Sequence, residues 1–240
     1  MKAFSNSRRG GFTLLETVIA IGVLAVLLTG FMVVFGPAAE GIRKSINVQQ
    51  ADRMASTLEQ ELITQRGTES TKFKTGFNKS LDWIQKANDP ANAILVYQYR
   101  GDAAKAPRTD DGTLQPSLSF TGMAGKDFIV VPMVRRLSDS KFKEDLKAVE
   151  GAVYLVKCTQ LVFNAGQLKL GTPGSIKNPK TDVAVTNIND PDDFPEAVIA
   201  FAADFYIMPA KVESYYTNTL PSKFTSFKNP VFSRNLAVRR

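Results

Sequence analysis

The sequence predicts an α+β fold: a long N-terminal helix whose first half spans a membrane, packed through its second half against a mostly antiparallel β-sheet head. Three observations predict it. Residues 12–35 form a nearly unbroken apolar run, and an amphipathic stretch comes after it. Beyond that lie many short runs rich in Val, Ile, Phe and Tyr, separated by Gly-, Pro-, Asn- and Asp-rich turns. The chain has 240 residues, 44% of them hydrophobic, which suits one globular unit with an appendage.

The apolar run reads FTLLETVIAIGVLAVLLTGFMVVF from Phe12 to Phe35. As a helix it would rise about 36 Å, enough to cross a hydrocarbon core of about 30 Å. Arg8 and Arg9 precede it and Glu40 lies beyond it, so the positive-inside bias places the first eleven residues in the cytoplasm and exports the chain after Phe35. Three ordinary readings compete. One is a cleavable signal peptide with its site near Gly36-Pro37-Ala38-Ala39, although its apolar region would be unusually long. A plain signal anchor is the second, and a buried hairpin of a soluble core the third, which so long an apolar run disfavours. Hydropathy alone leaves the first two open.

Glu16 separates them. An ionisable group near the start of a spanning run carries a cost of roughly 2–3.5 kcal/mol at a helix centre and less toward an end. A simple anchor gains nothing from it, and residues 12–35 contain no basic partner. An intramembrane carboxylate therefore calls for a partner from elsewhere.

The residues Arg8-Arg9-Gly10-Gly11-Phe12-Thr13-Leu14-Leu15-Glu16 resemble the processing signature of type IV prepilins and type II secretion pseudopilins. The resemblance implies a prepilin peptidase that cuts after Gly11 and methylates the new N-terminal Phe12. It also implies that Glu16 pairs with the N-terminal amine of a neighbouring subunit, which supplies the missing partner. A carboxylate and an ammonium about 4 Å apart attract far more strongly in a low-dielectric setting than in water, offsetting part of their desolvation. Glycine before the cut leaves the backbone open to close approach. The match is tight over about the first 40 residues. Many members carry a proline where this chain has Val33, and here Gly36-Pro37 comes slightly later, where a kink or break is expected.

The implied division is a cytoplasmic leader peptide at 1–11, a transmembrane assembly helix at 12–36, an amphipathic continuation at 37–67 and a globular periplasmic head at 68–240. In the continuation, Val48, Ala51, Ala55, Leu58 and Leu62 keep helical spacing, with Arg53, Glu59 and Gln60 off the stripe. That helix should run to about Arg66, stop at Gly67 and pack on the sheet. Ser80-Leu81-Asp82-Trp83-Ile84 reads as the start of a short helix, with Trp83 as a core anchor.

Strands are expected over Ile94–Tyr99, Leu114–Phe120, Phe128–Val134, Ala152–Val156, Leu161–Asn164 and Gln167–Leu170, with Ala165-Gly166 as a hairpin turn. Ile199, Phe201, Phe205 and Ile207 share a two-residue period that predicts another strand. Ser138–Ala148 reads as a solvated short helix, and Gly101–Gly112 and Gly171–Glu196 as long exposed loops available to partners. The tail from Phe232 to Arg240 reads as a charged edge strand.

Composition narrows the chemistry. Histidine is absent, which removes the commonest general base and metal ligand, and Cys158 is alone, so no intrachain disulfide exists. The formal charge is +7, and removing Lys2, Arg8 and Arg9 leaves +4, scattered rather than clustered as nucleic-acid binding requires. The metal candidate is the stretch Asn187–Asp193, in which Asp190, Asp192 and Asp193 offer hard oxygens for Ca²⁺. Its spacing is not that of an EF-hand loop, and a solvated acidic turn is the preferred reading, although some pseudopilins carry calcium in a late loop.

The expectation is thus a non-enzymatic structural subunit without a cofactor. It would be a minor pseudopilin or pilin of a type II secretion pseudopilus or type IV pilus-like filament, single-pass in the bacterial inner membrane. Its partners would be the peptidase/methyltransferase and other pilin or pseudopilin subunits, not nucleic acid. With the eleven leader residues removed, the chain is large for a major fibre subunit as the family goes. The alternatives are a periplasmic binding module on an uncleaved signal anchor and a secreted enzyme, for which unpaired groups such as Asp204 are the candidates.

Overall fold

The structure, a computed structural model, describes residues 13–119 and 121–240. Helix α1 runs from Leu14 to Ile63, and the chain divides into two compact units, residues up to Ile46 and Asn47–Arg240. In the first unit every described side chain is exposed, among them the apolar residues from Leu14 to Phe35. Helix α1 is long and apolar enough there to cross a membrane. Pro37 lies inside the helix without ending it, so of the kink or break expected there the break is corrected. Proline has no N–H, so the Val33 carbonyl loses its i+4 donor, yet the turns on either side remain helical.

In the second unit α1 becomes the amphipathic helix that the spacing predicts, except that Val48, the first residue of the stripe, is exposed. Ala51, Ala55, Leu58 and Leu62 are fully buried, and Met54 joins them. The helix ends at Ile63, before the expected Arg66. Gly67 takes a left-handed conformation (φ +54) in the turn beyond it, where an added Cβ would stand 2.6 Å from the Asp110 carbonyl oxygen. Two helices come next, the short α2 (Glu69–Lys72) and α3 (Gly76–Lys86), the latter begun by Thr75, whose side chain accepts a hydrogen bond from the Asn78 amide. Trp83, on α3, is buried as expected.

The sheet contains β1 (Ile94–Gly101), β2 (Ile129–Arg136), β3 (Val149–Asn164), β4 (Gln167–Leu170), β5 (Val198–Ile207) and β6 (Phe232–Arg239). Its order is β2-β1-β3-β5-β6, with β4 paired to β3, and every pairing is antiparallel. Two expected strands, Ala152–Val156 and Leu161–Asn164, are one: β3 runs through both and keeps its ladder past a register shift against β1 beside Gly151 (φ +66). The expected strand at Leu114–Phe120 is absent over its described residues. Pro116 makes only an isolated bridge to Gly101 and has no N–H to extend a ladder. Phe120 lies outside the described residues.

Alternation along the strands builds two cores. On one face Val96, Tyr154, Val156, Cys158, Phe201 and Phe205 meet α1 and α3. On the other, Leu95, Tyr97, Val153, Leu155 and Tyr206 meet Phe142 and Leu146 of helix α4 (Ser140–Leu146). Tyr216, from a π-helical turn at Tyr215–Thr219, and Leu220, from helix α5 (Leu220–Lys223), close the same face. Helix α4 is not the solvated helix expected, since Asp145 is fully buried within it. The loop at Gly101–Gly112 likewise buries Arg108, and the later loop buries Ile176, Val185 and Phe194.

Candidate functional site

Glu16 sits in the first turn of α1, and the local sequence Thr13-Leu14-Leu15-Glu16 explains its geometry. Thr13 immediately precedes the helix. Its hydroxyl accepts from the Glu16 amide at 3.3 Å, and Glu16 Oε2 accepts from the Thr13 amide at 2.8 Å and from the Thr13 hydroxyl at 2.9 Å. This reciprocal arrangement is a capping box, in which a Thr and a Glu three residues on satisfy each other's orphan amides. The positive end of the helix dipole favours the carboxylate there as well. Thr13 is the capping partner that reading Glu16 in isolation misses; the T-x-x-E spacing is the signal for it.

The cap uses Oε2 alone. Glu16 makes no ion pair among the described residues and is exposed, so Oε1 remains open to a further donor. Gly11 and Phe12, the expected cleavage and methylation positions, lie outside the described residues, as does the whole of residues 1–11.

The acidic loop is organised by backbone donors. Asp193 Oδ2 accepts from the Asn187 amide at 2.6 Å and from the Thr186 amide and hydroxyl at 3.1 and 3.2 Å, and these bonds, that of Asn187 foremost, hold its carboxyl below the usual range. Asp190 Oδ1 accepts from the Asp192 amide at 3.0 Å. Asn78 Nδ2 donates to the Ile188 carbonyl, and the Lys74 amide donates to Asn189 Oδ1, fastening the loop to the α2–α3 region. Among the described residues no three or more His, Cys, Asp or Glu side chains gather as metal ligands.

Several charges of the head instead form buried structural pairs. Lys79, fully buried on α3, reaches Glu61 of α1 at 2.9 Å, Glu69 of α2 at 2.8 Å and the Thr64 carbonyl at 2.5 Å, tying three helices together. Arg135 contacts Asp145 at 2.9 Å, Asp111 at 3.0 Å and Asp139 at 2.8 Å, while Arg108 and the Tyr97 hydroxyl meet the same Asp145 at 2.8 and 2.7 Å. Burial alone would raise the Asp111 carboxyl, but bonds from Thr113 and the Arg135 charge outweigh it and hold it far below the usual range. Asp204 accepts from the Ser233 hydroxyl at 2.5 Å, and burial, then Asp204, pushes the Cys158 thiol up, away from the reactive thiolate.

Residues 6–32 match the prokaryotic N-terminal methylation motif, the prepilin-type signature of pilin and pseudopilin proteins. No curated protein and no solved structure matches the chain. The motif supports a pilin-like protein, implies processing by a prepilin peptidase and assembly with other pilin-type subunits, and agrees with a single-pass membrane anchor formed by the apolar part of α1.

Proposed function

We propose that this chain is a minor subunit of a type II secretion pseudopilus or type IV pilus-like filament. It is made in the inner membrane with residues 1–11 in the cytoplasm and the head in the periplasm. The peptidase hydrolyses the Gly11–Phe12 bond and transfers a methyl group from a sulfonium methyl donor to the amine so released on Phe12, the donor leaving as its thioether and the amine giving up a proton. Glu16 then accepts that amine from a neighbouring subunit through Oε1, while Oε2 stays in the Thr13 cap. The observation that carries this reading is an exposed carboxylate without an ion pair among the described residues, at the start of an apolar helix and inside the methylation motif.

The cap offers an ordinary explanation of Glu16, and substitution separates the two roles. Glutamine serves in a capping box as glutamate does but carries no charge. Glu16→Gln is therefore expected to keep the helix start and reduce co-assembly at least about tenfold, the loss of a charge-assisted contact. Thr13→Ala loses a cap worth about 1 kcal/mol but keeps the charge, so assembly should stay within about fivefold of the parent. Co-purification of two differently tagged full-length copies from membranes reads both. If Glu16→Gln assembles normally, the pairing is wrong. Intact-mass spectrometry of the membrane-extracted chain reports the processing, expected as loss of residues 1–11 with gain of one methyl group; a chain retaining its leader supports a module on an uncleaved anchor instead.

A further inference from the structure

Past Gln160, the last residue paired with β5, β3 continues into a two-stranded ribbon with β4. The opposed pairs Leu161 with Leu170 and Phe163 with Leu168 fall on one face of this ribbon, because directly opposed residues and alternate residues share a face. The turn at Ala165 (φ 50) and Gly166 (φ 81) has the two left-handed residues that a tight hairpin needs. Phe163, Leu168 and Leu170 are 74%, 57% and 64% exposed. A ribbon of two strands is marginal by itself, and one with its apolar face in water is more so.

The same head carries an apolar cavity of about 390 Å³ between α4 and the π-helical turn, floored by Phe142 and Tyr216, whose rings meet edge to face at 5.0 Å, and walled by Leu137 and Pro221. Its volume lies in the range of ligand clefts. No residue of the ribbon lines it. The rim holds Asp89 and Glu213 against the single cation Lys143, which pairs with Glu213 at 2.9 Å, leaving one negative charge in excess. Lys169, on the back of the ribbon, makes no ion pair among the described residues. Its long stem lets the ammonium reach a rim while the apolar face of the ribbon lies on the floor.

We propose that the β3–β4 ribbon of one copy docks in the Phe142–Tyr216 cavity of a second copy, with Lys169 meeting Asp89 and Glu213 on the rim. A projecting apolar element and its receiving cavity at different places on one chain make a heterologous contact between two copies, not a two-fold isologous one. Charge complementarity selects the second copy over a lipid surface, which has no use for the acidic rim.

The test uses two differently tagged full-length copies produced together in bacterial membranes, one carrying Gln167→Cys in the ribbon and the other Thr217→Cys at the cavity. Cys158 is fully buried and stays out of the reaction. Mild oxidation should give a mixed-tag dimer only when both new cysteines are present. Phe163→Asp in the first copy should lower its yield at least about tenfold. Lys169→Glu should lower it about two- to fivefold, and Glu213→Lys in the other copy should restore it. No mixed dimer, a yield indifferent to Phe163→Asp or to the charge exchange, or cross-linking only to a different protein would overturn the proposal. Because methylation of Phe12 is read separately by intact mass, a dimer on an unprocessed chain would uphold this contact while removing the filament reading, and a processed chain without the dimer would do the reverse.

Discussion

Asp145 shows how much one residue can hold. It accepts from Tyr97, Arg108 and Arg135, three side chains brought from β1, the Gly101–Gly112 loop and β2. Burial, and then the Asp145 charge, raise the Tyr97 phenol well above its usual value, so it stays a donor. Removing one partner from a buried ionic cluster costs more than the cluster contributes, because the remaining charges stay desolvated. Asp145→Asn is accordingly expected to destabilise the protein by about 3–5 kcal/mol, measured by equilibrium urea unfolding. Its neighbours in sequence, Lys143, Glu144 and Lys147, suggest a solvated helix, and nothing local marks the one carboxylate that turns inward. Glu16 is the opposite case: its place in an apolar run and its spacing from Thr13 are both visible in the chain itself.

Among the elements, periodicity is a good guide where one face alone is buried. The stripe from Ala51 to Leu62 and the alternation from Ile199 to Phe205 both lie in the core. It fails where a long-range partner decides the outcome. Leu114–Ser119 has strand-like composition but Pro116 in its middle, and Gly151 looks like a strand boundary until β1 accepts the irregular register beside it. The approach of α3 to α1 is equally invisible locally. Gly76 begins α3 so close to the end of α1 that an added Cβ would stand 2.0 Å from the Ile63 carbonyl oxygen. Gly76→Ala, a favourable change by helix propensity alone, should here cost about 1–3 kcal/mol through forced displacement of one helix from the other, seen as a lower thermal midpoint.

Across the molecule as a whole, stability is tied to carboxylates that must stay ionised. Burial would raise Asp82, but its bond from Lys86 and the charge of Arg136 lower it on balance, and Asp111 is lowered by Thr113 and Arg135. A group whose folded-state pKa lies below its unfolded value of about 3.9 contributes fully above that value and loses its contribution as pH falls through the folded pKa. The urea midpoint should therefore be level above about pH 5 and fall steadily below about pH 4. An Asp82→Asn/Asp111→Asn double variant, less stable at neutral pH, should show a shallower acid slope in the same titration.

The order of parts is written in the chain alone: a methylation motif, an apolar run carrying a single carboxylate, an amphipathic helix and a sheet-forming remainder. These rest on hydropathy, spacing and local capping, all of which act within a few residues. Three further features emerge only from the packed fold: which charged residues are buried, that the hairpin legible at Leu161–Leu170 is continuous with β3 and leaves its apolar face exposed, and the cavity between α4 and the π-helical turn. Burial and cavity shape depend on contacts between residues far apart in the chain, and no local pattern encodes which of them will meet.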